Sequence, residues 1–195
     1  PVDICNLALG HLGEAPIASL DETNAGARAC ALHYSPTRDE VLRSHRWNFA
    51  IQREILTELE AVPLFGFAHQ YTLPADCLRV VEFNDSDEGD WISSPFAIED
   101  GKLLTDDSEA RVVYIRREED VSKYDPLFCK ALAAKLAADL SESIRGSSGK
   151  TGDLLALYQN VTAPLARRVD ANEGRRRKGT LPLNSQFVRA RYAGR

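Results

Sequence analysis

Residues 125–144 read DPLFCKALAAKLAADLSESI, and this stretch decides the class of fold. Asp125 is placed to accept from the free N–H groups of a helix's first turn. Pro126 fills a first helical position that needs no donor. Leu127, Phe128, Ala131, Leu132, Leu136, Leu140 and Ile144 then recur at helical spacing and form a broad apolar stripe. Alanines fill much of the remainder and permit close helix packing. Partners for that stripe lie on both sides in sequence.

Upstream, Asp3 is placed to cap a short helix whose apolar positions are Ile4, Leu7, Ala8 and Leu12. Gly13 suits a left-handed stop, and Pro16 favours extended backbone at Ala15. Ile17 and Leu20 anchor the connection. Asp21 or Thr23 starts a longer helix running to about His45, with Ala27, Cys30, Ala31, Tyr34, Val41, Leu42 and His45 on one face. Pro36 removes a hydrogen bond to Leu32 and predicts a kink or a split. Downstream, Gly146 to Gly152 reads as a turn. A fourth helix begins near Asp153, with Leu154, Leu157, Tyr158, Val161, Leu165 and Val169 as its apolar face, bent or shortened at Pro164.

Between the helix pairs the period changes. Trp47, Phe49, Ile51 and Ile55 alternate with polar or small residues, as in a half-buried strand. Glu58 to Phe67 reads as loop. Gln70 to Leu73 and Leu78 to Phe83 read as strands about a Pro74-Ala75-Asp76 turn. Asn84 to Asp90 is an acidic loop. Phe96 to Ile98 and Lys102 to Leu104 flank Asp100-Gly101, a strong hairpin signal. Arg111 to Arg116 closes the series, with Val113 and Ile115 on one face and Val112 and Tyr114 on the other. The expected fold is α+β. Helix pairs at about 3–45 and 125–172 form a bundle, with an antiparallel β-rich insertion at about 46–117. Residues 1–173 make one domain, and 174–195 form an extended, basic C-terminal arm.

A chain of 195 residues buries roughly 70% of its unfolded surface in a single core. Its net charge of −5 hides an asymmetry. Residues 165–195 carry nine Lys/Arg against Asp170 and Glu173, a balance of +7, which leaves −12 on the rest. An acidic body with a basic tail points to an acidic partner for the tail. No apolar run reaches the roughly 20 residues that span a bilayer, so no membrane anchor is expected. Asp3 and the lack of a basic leader argue against a signal peptide, and a cytosolic place of synthesis is expected.

The chemical motifs are weak. Gly146-Ser147-Ser148-Gly149-Lys150-Thr151 lacks the four-residue spacing of a phosphate loop and follows a helix, so an interhelical turn is expected. Glu58, Glu60, Asp76, Glu82, Asp85, Asp87, Glu88 and Asp90 could supply a hydrolytic pair, but nothing in their spacing singles out two across a cleft. The Asp85–Asp90 cluster lacks the late glutamate of a calcium-binding helix-loop-helix. His11, His33, His45 and His69 form no i, i+4 pair, and Cys5, Cys30, Cys77 and Cys129 form no C-x-x-C. Structural thiols are expected, with no metal, cofactor or catalytic residue. Arg175, Arg176, Arg177 and Lys178 suit nucleic-acid phosphates, an acidic protein groove or an adjacent subunit alike.

Asn6-Leu7-Ala8-Leu9-Gly10-His11-Leu12-Gly13-Glu14-Ala15-Pro16-Ile17, then Leu20, then Asn24-Ala25-Gly26-Ala27-Arg28-Ala29-Cys30 resembles the opening of the phage tail tubular protein A family. Arg38 to Ala50, with Trp47, Asn48 and Phe49, and the run from Tyr71 through Leu73 and Pro74 to Val80 resemble its later stretches. The resemblance covers most of residues 4–145. It implies a structural virion protein: a head-to-tail adaptor of a short-tailed bacteriophage that joins the portal ring to the tail tube or nozzle. Such adaptors form closed rings of about twelve copies and continue the channel through which DNA passes without sequence-specific binding. They contain a helical bundle with a β-rich part, and their C-terminal arm reaches along the portal. The matched scaffold residues are Leu12, Gly13, Glu14, Pro16, Trp47, Asn48, Phe49, Leu73 and Pro74. Charge, rather than a motif, nominates Arg175, Arg176, Arg177, Lys178, Arg189 and Arg191 as portal-binding residues, with Leu181, Leu183, Phe187 and Tyr192 as apolar anchors. The rival expectations are a nucleic-acid-binding protein using the same tail and, behind it, a virion-associated cell-wall hydrolase.

Overall fold

A computed structural model describes residues 1–84, 94–145 and 149–173. The protein is a mixed α and β chain containing helices and two three-stranded antiparallel sheets. Helices α1 (Val2–Leu12) and α2 (Ala25–Arg43) precede the strands, and α3 (Pro126–Arg145), α4 (Gly149–Leu157) and α5 (Ala163–Glu173) follow them. The central α3 packs on α1, α2 and α4. Phe128, Leu132, Leu136 and Leu140 are fully buried in the shared core with Leu9, Leu12, Val41, Leu42 and Trp47. Asp125 caps α3 as expected, its Oδ1 accepting from Leu127 N at 2.7 Å and Phe128 N at 3.2 Å.

Gly13 ends α1 with φ 74°, and the N–H groups of Gly13 and Glu14 donate back to Gly10 and Leu9 at 3.1 and 3.0 Å. This pair of hydrogen bonds is the Schellman arrangement, which satisfies carbonyls the helix leaves free. Gly13→Ala strains a left-handed position and is expected to cost about 1 kcal/mol, or roughly 2–4 °C in Tm, read by thermal melting. The α1–α2 connection is then fixed by Asn6, whose side chain donates to Ile17 O at 2.9 Å and accepts from Ile17 N at 2.8 Å.

Several helix expectations need correction. Asp3 lies inside the first turn of α1 and caps nothing. Asn24, not Asp21 or Thr23, caps α2, accepting from Ala27 N at 2.7 Å. The helix runs unbroken through Pro36. Leu32 and Pro36 both lie on its exposed side, where water can satisfy the freed carbonyl. Ala31 is exposed, while Ala29 is buried. Helix α4 already starts at Gly149, so Gly152 is helical, and Gly146 to Ser148 lie outside the described residues.

The largest correction follows Leu157. A π-helical turn, Tyr158–Thr162, joins α4 to α5, and Ala163 N donates to Tyr158 O, five residues back. Pro164 has no N–H to give Asn160, and the wider turn accommodates that loss without ending the helix. The extra residue rotates the inward face. Ala163, Ala166 and Asp170 are buried where Leu165 and Val169 were expected, and Val161 and Leu165 face solvent.

The first sheet has order β1-β6-β3, from β1 (Ile51–Ile55), β3 (Cys77–Phe83) and β6 (Arg111–Arg116). The second has order β2-β5-β4, from β2 (His69–Thr72), β4 (Phe96–Glu99) and β5 (Lys102–Thr105). Central β6 is covered on both faces. Ile115 joins the helical core, while Val112 and Tyr114 join a second core with Leu56, Tyr71, Phe83 and Leu103. The β4–β5 hairpin turns at Asp100 and Gly101, both at positive φ (49° and 69°), as the sequence predicted. Glu58 to Phe67 is loop apart from a single bridge from Glu58 to Tyr71. The strand expected from Trp47 begins only at Ile51, because Asn48–Ala50 forms a 3-10 turn, and Ile55 is exposed. Asp85 to Asp90 lie outside the described residues.

Candidate functional site

The residues that carry the family resemblance converge on two junctions and a turn. At the first junction, Leu12 is fully buried, Gly13 and Glu14 close the helix end, and Pro16 is exposed on the connection that Asn6 pins. The turn holds Leu73 against the second core, its N–H donating to Gly101 O at 3.2 Å, while Pro74 O accepts from Cys77 N at 2.9 Å.

The second junction, residues 45–50, carries the densest set of contacts. Trp47 is 1% exposed and its Nε1 donates to Val41 O at 3.0 Å, closing the end of α2. Its ring meets Phe128 edge-on at 4.9 Å between centroids, and Phe49 meets the same Phe128 at 5.0 Å and Tyr124 at 5.4 Å. Asn48 reaches the other way. Its backbone N–H donates to Asp170 Oδ1 at 2.9 Å, and its side-chain amide donates to Asp170 O. Asp170 is 5% exposed, and its Oδ2 lies 3.3 Å from His45 Nε2 without hydrogen-bond alignment. Arg167 adds a bond from Nη2 to Ser44 Oγ at 3.1 Å. Helix α5 is thus clasped to the helix–strand junction at its last turn, four residues before Gly174 opens the basic segment. Burial holds the His45 imidazole below its ordinary range. Arg167 and Arg79 push the same way, and Asp170 pulls against them.

Sequence reading identified Trp47, Asn48 and Phe49 but missed Asp170 and took Val169 as the inward residue. Pro164 was the available signal, since a local change of winding is one way a helix accommodates a proline, although α2 passes Pro36 without one. The proposed arm residues Arg175, Arg176, Arg177, Lys178, Leu181, Leu183, Phe187, Arg189, Arg191 and Tyr192 lie outside the described residues.

Of the carboxylates weighed for hydrolysis, Glu58 Oε1 lies 2.6 Å from His69 Nδ1, Glu82 pairs with Arg46, and Glu60 is exposed. Asp76 and Glu54 bracket the Tyr114 hydroxyl at 3.3 and 3.2 Å, and burial with these two charges pushes that phenol up. A shallow depression of about 520 Å³ beside Asp76 is lined by Arg116, Arg117, Glu118, Glu119, Asp120 and Lys123. Its charges are engaged, Glu118 with Arg116 at 2.9 Å and Lys123 at 3.1 Å, and Arg117 with Asp39 of α2 at 2.8 Å. Such internally neutralised pairs hold the strands and the 3-10 turn Val121–Lys123 together rather than awaiting a ligand. Among the described residues no group of three or more His, Cys, Asp or Glu is arranged to hold a metal. Cys5 and Cys30 are buried across the α1–α2 contact, and their mutual hydrogen bond, with burial, pushes the Cys5 thiol up. All four cysteines are free. No described helix is long and apolar enough to cross a membrane. No protein-family model matches the chain, and no curated protein matches it.

Proposed function

We propose that the chain is a structural virion protein, a head-to-tail adaptor of a short-tailed bacteriophage. In this reading the N- and C-terminal helix pairs form one bundle carrying the sheets as an insertion. Residues 1–173 are the adaptor domain, and 174–195 are an arm that docks on the portal ring. Neighbouring copies close a ring of about twelve, the tail nozzle binds below, and DNA slides past an acidic wall without sticking. Catalysis has no part in it.

One observation carries the reading. Asn48, in the most distinctive stretch of the family resemblance, holds Asp170 at the root of the basic segment. A scaffold residue therefore holds the helix whose sequence runs on into residues 174–195, a +7 segment with no acidic residue that follows an otherwise acidic chain. An arm fixed at its root can reach far, since about 20 extended residues span roughly 65–70 Å. Its ordering on docking costs entropy that repeated contacts around a ring offset.

The test is sedimentation of the full chain, and of a version ending at Glu173, with the purified portal ring. The full chain is expected to form a discrete ring complex, and the shortened chain to lose at least tenfold in affinity. Docking should weaken between about 0.1 and 1 M salt, as the screening length falls from roughly 10 to 3 Å. Equal binding by both versions removes the arm from the proposal. Failure of both, with salt-dependent binding of free DNA by the full chain, replaces the adaptor by a nucleic-acid-binding protein.

A further inference from the structure

The loop between β1 and β2 displays an apolar tip that the fold makes no use of. Val62, Leu64 and Phe65 are 72%, 97% and 86% exposed, three large apolar side chains within four positions. The display is built. Gln70 Nε2 donates to Ala61 O at one end, and Ala68 N donates to Asp106 Oδ1 at 3.0 Å at the other. Between these anchors Pro63 has its φ fixed by its ring, and Gly66 takes φ 89°, a conformation that larger residues resist. Adjacent exposed apolar groups of this size mark an interaction surface more often than scattered single ones.

The surroundings select the partner. Glu58, Glu60, Asp106, Asp107 and Glu109 flank the loop and the β5–β6 connection beside it. The nearby Arg111 is already paired with Glu109, and the His69 ring lies against Glu58. An acidic collar repels DNA and anionic lipid, both of which need a basic surface. It suits a protein pocket that is apolar inside and basic at its rim. Strand β1 starts beside the Asn48–Asp170 clasp and ends at Ile55, so roughly 17 Å of strand lies between that junction and the start of this loop.

We propose that the Ala61–Phe67 loop is the plug by which this chain seats in an apolar, basic-rimmed pocket of the tail-tube (nozzle) protein. This assignment rests on the adaptor reading. The test uses the full chain and the double variant Leu64→Ser/Phe65→Ser, with Leu32→Ser as an exposed control far along the helices. Binding is measured separately to the purified portal ring and to the purified tube protein. The expected result is portal complex formation equal to wild type, tube-protein binding at least tenfold weaker for the double variant, and both unchanged for Leu32→Ser. Unchanged circular dichroism confirms folding, since neither replaced side chain is packed. Undiminished tube binding overturns the plug. Loss of ring formation on the portal reassigns the loop to a contact between copies, and binding of anionic vesicles reassigns it to lipid. A wild-type chain that binds tube protein but no portal sinks the adaptor geometry while leaving the loop contact standing. A wild-type chain that binds neither sinks both.

Discussion

Trp47→Ala is expected to lower the unfolding free energy by about 3–5 kcal/mol, the range for removing a large aromatic side chain from a packed core. In a chain of this size that is roughly 6–20 °C in Tm. Three losses add at one position. The indole is 1% exposed, so truncation leaves a cavity that the neighbouring helices can only partly close. Its edge-on contact with Phe128 at 4.9 Å disappears, and aromatic pairs contribute beyond their buried area. Val41 O, at the end of α2, loses the donor that satisfied it at 3.0 Å. Trp47→Phe separates these terms, because it keeps most of the packing and removes only the donor, at about 1–2 kcal/mol. Urea titration gives both numbers. An alanine variant within 1 kcal/mol of wild type would mean that the junction is not the keystone of the helical core.

Trp47 also shows why parts of the fold were legible in sequence and others were not. Its burial was readable, since a tryptophan beside Phe49 has few stable places outside a core. Its secondary structure was not. The alternation Trp47, Phe49, Ile51, Ile55 fits a strand by period, yet Asn48–Ala50 is a 3-10 turn and Ile55 is exposed. A short run offers too few repeats to tell one period from another. Three signals that act within a few residues held, the Asp125 cap, the Gly13 stop and the Asp100-Gly101 hairpin, while the equally local caps at Asp3 and at Asp21 or Thr23 did not. The sheet order did not follow from such signals. β2 and β3 are consecutive but lie in different sheets, and β6 pairs with β1 some sixty positions earlier, as in Gln52 opposite Tyr114. Pairings of that range depend on which cores close, not on any local pattern.

The candidate site divides the same way. Asn48 stands out by resemblance, but its partner is the product of a winding defect more than a hundred residues away. One added residue in the Tyr158–Thr162 turn moves the inward positions from Leu165 and Val169 to Ala166 and Asp170. An apolar stripe extrapolated through Pro164 therefore buries the wrong side chains. It also hides a buried carboxylate, because a regular helix would have carried Asp170 away from Asn48.

Asp170→Ala is accordingly expected to cost about 3 kcal/mol at pH 7, near the lower end for breaking a buried charged contact. The variant strands the Asn48 N–H that donated at 2.9 Å and removes the carboxylate beside His45. Asp170→Asn keeps an acceptor for Asn48 and should recover about half. The pH dependence gives an independent check on the same clasp. His45 is held below its ordinary range in the folded chain, first by burial and then by Arg167 and Arg79, with Asp170 opposing. The unfolded chain therefore binds the His45 proton more readily. The stability this contributes is complete above the unfolded value near 6.5 and is lost as pH falls through the lower folded value. Removing Asp170 takes away the group that favours the charged imidazole, so the decline from pH 7 toward 5 should steepen in Asp170→Ala. His45→Gln should flatten it. Denaturant midpoints at several pH values decide the matter: parallel profiles for wild type and both variants would show that the imidazole and the carboxylate are not coupled. On the adaptor reading, Asp170→Ala kept below its melting temperature should also dock on the portal more weakly than wild type. The whole basic segment is still present in that variant, so the loss would be of the fixed root from which it starts.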